Sequence, residues 1–375
     1  MPHPPEPDED GLDAIPPPHV VFYVEQALLG ALLLEPQRLR DVAGIGPETF
    51  STAAHRALFA AIRALPAPDP AEHAHSTAWL DQVLTTARQQ ARGLTASHLH
   101  SLVHHCPWPQ HAPAYARMVE ADHTRRTLRA GAQRLVHTAT DRTLPQPVDT
   151  TLAEADALAS LVDDIAARFP AHSSPLPRTP APASVSAAVP GDAEEAADEE
   201  RLLLATATAH PGDAERMRWL TAGDFARPLH AGLWQCLTAL TRCRAPVDPV
   251  TVLWEAQQRG LLAPGTRPAE LLALLAEPVG DPQHWGERIL QRSVLATAHR
   301  VGHRIQAYTD TPAATPHQLV TGSRRALADL SAVRTRWHHA TSLSPTTKPT
   351  RTRATPPPRA GPPRTTAPPA ARISR

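Results

Sequence analysis

Residues 48–65 read ETFSTAAHRALFAAIRAL, and residues 223–240 read GDFARPLHAGLWQCLTAL. In the first stretch His55, Leu58, Phe59, Ile62 and Leu65 fall at i, i+3, i+4, i+7 and i+10. In the second, His230, Leu233, Trp234, Leu237 and Leu240 repeat that stripe. This spacing puts one apolar face on a helix, and its recurrence points to one unit used twice. A shift of 175 carries one copy onto the other without a gap, from Glu25 on Glu200 through Pro36 on Pro211 and Phe50 on Phe225 to Leu65 on Leu240. Beyond that point Trp79 lands on Trp254.

Working outward, Leu99, Leu102 and Val103 match Leu271, Leu274 and Leu275 with small gaps. Tyr115, Met118 and Val119 fall near Trp285, Arg288 and Ile289. Each copy then closes with a further helix. One follows PVDTT, running through Leu152, Leu158, Leu161, Val162 and Ile165, and the other follows TPHQ, running through Leu319, Leu327, Leu330 and Val333. Asp149 and Thr315 are the expected caps for these starts. No period-2 alternation is sustained, so the expected fold class is all-α, two tandem helical bundles. Residues 170–196 and 340–375 are rich in Pro and small side chains and read as a linker and a disordered tail, with 1–19 as a disordered acidic front. The helical domains are then 20–169 and 197–339.

Composition agrees. Aromatic residues make up 4% of the 375, so the cores rest on Leu, Ala and Val, which favours helix over sheet. The 42 prolines predict that much of the chain lies outside regular structure. Net charge is zero, which leaves no bulk field to draw in nucleic acid. Its distribution is uneven: residues 1–13 hold five acids and no Lys or Arg, and residues 341–375 hold seven bases and no acid. Cys106, Cys236 and Cys243 fit no disulfide framework, and Cys236 and Cys243, seven apart on one helix, are expected to be small core residues. No secretion signal or apolar run of membrane-spanning length occurs, so a reduced, cytoplasmic protein with no membrane partner is the default.

VEQALLGALLLEPQRL (residues 24–39) followed by ETFSTAAHRALFAAI resembles the N-terminal collar domain of DnaB-type replicative helicases. That domain opens with a Glu-Gln helix, a Leu-Gly-Ala-Leu-Leu core and an acidic-Pro stop, followed by a Phe and a His-rich helix start. In the second copy APVDPVTVLWEAQQRGLL, residues 245–262, resembles the family's Pro-Val-Asp segment. A helicase also needs an ATPase whose phosphate loop carries Gly-x-x-x-x-Gly-Lys-Ser/Thr. The single lysine, Lys348, sits in TTKPTRTR with no glycine in the ten residues before it. Neither ATP hydrolysis nor unwinding is expected of this chain, and no cofactor. The resemblance implies a non-catalytic domain that pairs with copies of itself and docks on helicase, primase or helicase loader. It places hairpin helices at 115–139 and 285–308 and linker-type helices at 150–168 and 317–337.

Several residues invite a sharper reading. His55 and His230, held in register, are expected to be buried or capping histidines that begin a packed helix rather than ligands. HLHSLVHHCPWPQH, residues 98–111, puts His100 and His104 on one helix face near Cys106 and His111. A metal-dependent enzyme built there is an alternative that the second copy, which keeps the leucines and not the histidines, argues against. Arg125, Arg126, Arg129, Arg300 and Arg304 are the candidate partner-docking residues on the hairpin helices. Lys348, Arg351, Arg353, Arg359 and Arg364 are the candidate DNA-backbone contacts, through weak, salt-dependent phosphate attraction. On that second reading the chain is a DNA-binding accessory or plasmid-type replication factor.

Overall fold

The computed structural model describes residues 19–170, 193–262, 265 and 267–343. The candidate DNA contacts of the tail, and the segments expected to be disordered, lie outside these residues apart from a few at their edges. Among the described residues every regular element is a helix.

The first copy is built from α1 (Val20–Leu34), α2 (Ala53–Ala64), α3 (Pro70–His73), α4 (Ala78–Arg88), α5 (Ala96–His104), α6 (Ala112–Thr140) and α7 (Pro147–Arg168). The second has α8 (Ala193–Ala209), α9 (Pro211–Arg216), α10 (Pro228–Arg242), α11 (Pro249–Gln258), α12 (Pro268–Ala276), α13 (Pro282–Thr309) and α14 (Pro316–Leu343). Among the described residues prolines often serve as punctuation: α7, α9, α10, α11, α12, α13 and α14 each begin with one. Its missing N–H is an orphan there anyway and its fixed φ suits the first turn.

Each copy has a head and a hairpin. In the first head α1 is buried continuously from Glu25 to Leu33, a central helix packed by α2, α5 and the start of α6. Gly30 allows this, because a Cβ there would stand 2.2 Å from the carbonyl oxygen of Leu102 on α5. Thr52 caps α2 by accepting the His55 N–H at 3.1 Å, and the predicted stripe of Leu58, Phe59 and Ile62 is fully buried. α10 repeats this with Leu233, Trp234 and Leu237.

α7 folds back antiparallel on α6, as the contacts Glu120–Arg168 and Arg134–Glu154 require. α14 does the same on α13, through Arg304–Asp329 and the packing of Gly322 on Tyr308. The two hairpins then pack on each other in a four-helix bundle with one continuous core. Leu128, Ala132, Leu135, Leu158 and Val162 share it with Val294, Ala298, Val301, Leu319 and Leu330. α6 and α13 approach closely at Gly302, where a Cβ would lie 2.5 Å from Val136 and 3.0 Å from the Ala132 carbonyl.

Three local expectations need correcting. Thr315 does cap α14, in a reciprocal exchange with Gln318, but Asp149 lies inside the first turn of α7, whose N-cap is Gln146. Cys236 is buried, whereas Cys243 is exposed because α10 has ended one residue earlier. Trp79 is buried, donating to the Pro66 carbonyl at 3.0 Å, while Trp254 is 61% exposed. The two tryptophans coincide in numbering and not in place.

Candidate interaction surface

The register that aligns the copies also aligns a polar device. Glu25 is wholly buried on α1, and Glu200 likewise on α8. Glu25 accepts hydrogen bonds from the Ser51 N–H at 2.6 Å, the Ser51 hydroxyl at 3.0 Å and His55 Nδ1 at 2.6 Å. Glu200 accepts from the Ala226 N–H at 2.5 Å, the Arg227 N–H at 3.4 Å and His230 Nδ1 at 2.8 Å. A buried carboxylate needs such partners, and here they come from the loop and first turn of the following helix. The pair thus fastens the entry of α2 to α1, and of α10 to α8. His55 and His230 are the buried helix-start histidines expected. That their shared partner is a glutamate thirty residues upstream was readable only as two coincidences in one alignment.

His98 lies on His55, ring centroids 6.1 Å apart and 18° from parallel. Burial and then the neighbouring His55 hold its pKa below the usual histidine value. Neither His55 Nε2 nor His98 Nε2 has a hydrogen-bond partner. The rest of the 98–111 stretch divides: Cys106 packs beneath Gly30, and His105 Nδ1 bonds the Ser101 carbonyl at 2.6 Å. Among the described residues no group of three His, Cys, Asp or Glu side chains is placed to hold a metal ion.

The five candidate docking arginines are sorted by what they touch. Arg125 reaches across to the second hairpin and donates to the carbonyls of Thr309, Thr311, Pro312 and Ala314 at 3.3, 2.5, 3.0 and 2.8 Å. A guanidinium matches the negative end of α13 and the orphan carbonyls there. Arg129 pairs with Asp310 at 2.8 Å across the same seam. Arg126 instead ties its hairpin to its own head, bonding Asp122 at 2.8 Å and the Thr49 carbonyl at 2.6 Å. Arg300 bonds Thr297 at 2.9 Å and Arg304 pairs with Asp329 at 2.8 Å, both within the second hairpin. The seam continues along α7 and α14 with Arg324–Asp163 at 2.6 Å and with Arg334, which grips Asp156 by both guanidinium ends.

A cluster that the sequence did not announce lies below the second head. Asp224 is buried, and burial alone pushes its carboxyl up. Hydrogen bonds, foremost from Arg336 and then from Ser293 and Thr221, outweigh this and hold it below the usual carboxylate range. Ser293 donates at 2.6 Å from α13, and Arg336 from α14 at 2.9 Å through one nitrogen while its other also contacts the carboxylate. One head residue is thereby clamped to both arms of its hairpin.

Among the described residues no helix is long and apolar enough to cross a membrane. Compared with known families, the chain matches the DnaB-like helicase N terminal domain twice, over residues 17–121 and 192–286. The matches cover the two heads and stop ten residues into α6 and five into α13. No curated protein and no solved structure matches.

Proposed function

The chain belongs to the DnaB-like helicase N-terminal domain family, and from that premise we propose that it is a non-catalytic, replication-associated docking module. The observation that carries the reading is the shared four-helix core, through which two collar units pair inside one polypeptide. Separate collar domains must find each other by mass action, whereas two joined in a chain meet at a high effective concentration. A preformed pair then offers a partner a fixed, double-headed surface. Its partner is the replicative helicase, the primase or the helicase loader. The matched domain is the collar of such helicases, and the sequence lacks the lysine that a phosphate loop needs.

The test is direct binding of the full chain to the helicase, primase and loader of the same host, each purified and immobilised in turn. Saturable binding of one of them with a Kd below about 10 μM, an affinity expected of a transient interface, supports the proposal. No binding to any of the three at that concentration refutes it.

A further inference from the structure

The two heads carry the same groove, and the copies differ in the charges around it. In the first head a groove of about 410 Å³ opens between the turns after α1 and the C-terminal half of α2. In the second a groove of about 460 Å³ opens at the equivalent place. The 175 shift carries Val42 onto Met217, Ile45 onto Leu220 and Phe59 onto Trp234 on the two floors. Along the rims the correspondence fails. The first groove is bordered by Arg40 and Arg63, and no carboxylate lines it. Arg40 is 81% exposed and only loosely approached by Asp41, at 3.7 Å. Around the second groove Arg63 is replaced by Thr238 and Arg40 by Glu215, which holds Arg218 at 3.2 Å, while Arg242 stands where the first groove has Ala67. The first groove is therefore apolar with a net positive rim, a seat for an acidic segment bearing a hydrophobic side chain.

We propose that residues 8–15 of the same chain, DEDGLDAI, are that segment. Charge is the first argument: Asp8, Glu9, Asp10 and Asp13 have no basic residue among them, and Leu12 and Ile15 supply the apolar contact. Reach is the second. The groove lies at the C-terminal end of α1, where Pro36 and Gln37 line it. α1 has 15 residues, so at about 1.5 Å each it sets that site about 22 Å from the start of the helix. An extended chain covers about 3.3 Å per residue, so about seven residues running back from His19 deliver residue 12 to the groove. Pro16, Pro17 and Pro18 fall in that return span, where a proline run favours the extended form. A tethered segment binds at a high effective concentration, so it shields the groove until a tighter acidic ligand displaces it.

The experiment uses the full chain with the photo-crosslinking residue benzoylphenylalanine in place of Leu12, prepared as an equal mixture of light and heavy isotope forms. Irradiation is expected to join position 12 to peptides covering 36–45 and 59–67 of the same chain. Arg40→Glu with Arg63→Glu should cut that yield at least about five-fold. Reversing Asp8, Glu9 and Asp10 to Lys in that variant should restore it. Both arginines are at the surface, and an unchanged circular dichroism spectrum verifies folding. Should the variant not fold, the unsubstituted groove is tested by raising salt to about 0.5 M, which should lower the yield as the rim charges are screened. Crosslinks to the second groove, crosslinks joining light to heavy chains, or a yield indifferent to both rim charge and salt would each overturn the proposal.

Discussion

The two heads share a helix order and a buried Glu–His clasp, yet they are built into the molecule differently. The first keeps a core of its own, from Leu28 to Val119, separate from the core of the hairpins. The second has no such boundary: Leu203, Trp234 and Val252 belong to the same continuous core as the four-helix bundle. Polar ties follow the same division. The first head is held to its hairpin by Arg126 on a backbone carbonyl, the second by the buried Asp224 with Arg336 and Ser293. Duplication has left one head as a separable unit and merged the other into the scaffold.

The strongest way to break this comparison is to remove the clasp from each copy in turn. Truncating one partner of a buried hydrogen-bonded pair costs about 3–5 kcal/mol, since the other is left without compensation. Glu25→Ala should expose the amides of α1, α2, α4 and α5 to hydrogen exchange while the bundle stays protected. Glu200→Ala should raise exchange in α8 and α10 and carry it into α13 and α14. If both variants open the same set of helices, the separation of the two cores is wrong.

Arg336 tests the tie rather than the clasp. Arg336→Met leaves Asp224 buried without its cation, at an expected cost of about 2–3 kcal/mol, reduced because Arg336 keeps 25% exposure. Asp224→Asn in the same chain should recover part of the loss. The pH dependence has a definite sign. The folded state holds the Asp224 carboxyl below its usual value, so the stability it contributes is present above about pH 3.9 and lost as acid protonates it. Chemical denaturation of the parent should therefore show a loss on descending below about pH 4 that Arg336→Met lacks. Equal acid sensitivity in both would remove Asp224 from its assigned place.

Gly302→Val asks whether the seam is as tight as drawn. Its added carbons meet Val136 and the Ala132 backbone, and overpacking of this kind costs about 1–3 kcal/mol. The prediction is a looser chain by small-angle scattering with both heads still folded. An unchanged profile would mean that α6 and α13 can part without consequence.

How much of this was legible beforehand follows from what each residue depends on. The all-helical class and the buried faces of α2 and α10 were readable because apolar spacing is local and appears twice. Thr315 was readable as a cap because its signal lies within three residues. Asp149 misled because proline at the preceding positions takes over the start of α7. The Glu25–His55 clasp spans thirty residues, and only the shared register hinted at it. Asp224 was not legible at all: its partners Ser293 and Arg336 come from helices that reach it only after the hairpin has closed. Arg125 was flagged as a docking residue, and its four carbonyl partners lie in the other copy. Its counterpart by the burial pattern of α6 and α13 is Leu295, so the seam is not symmetric even where the helices are.

Acid gives the gentlest probe of the difference between the heads. Burial, then the neighbouring His55, lowers the pKa of His98, and its Nε2 and that of His55 have no partner to welcome a proton. A histidine lowered in the folded state leaves stability intact above its unfolded value of about 6.5. Below that the unfolded chain binds the proton first and stability falls. In the second head the residue matching His98 is Glu270, so His230 has no such neighbour. His123 on α6 and His299 on α13 are lowered as well, chiefly by burial, and add a background shared by the two hairpins. On passing from pH 7.5 to 5.5, exchange should therefore rise first in α2 and α5, by less than any substitution above produces. His98→Gln removes the titrating group and should flatten that rise, leaving the response of α13 as it was. If α10 and α12 open as early as α2 and α5, the stacked histidines are not what sets the first head apart.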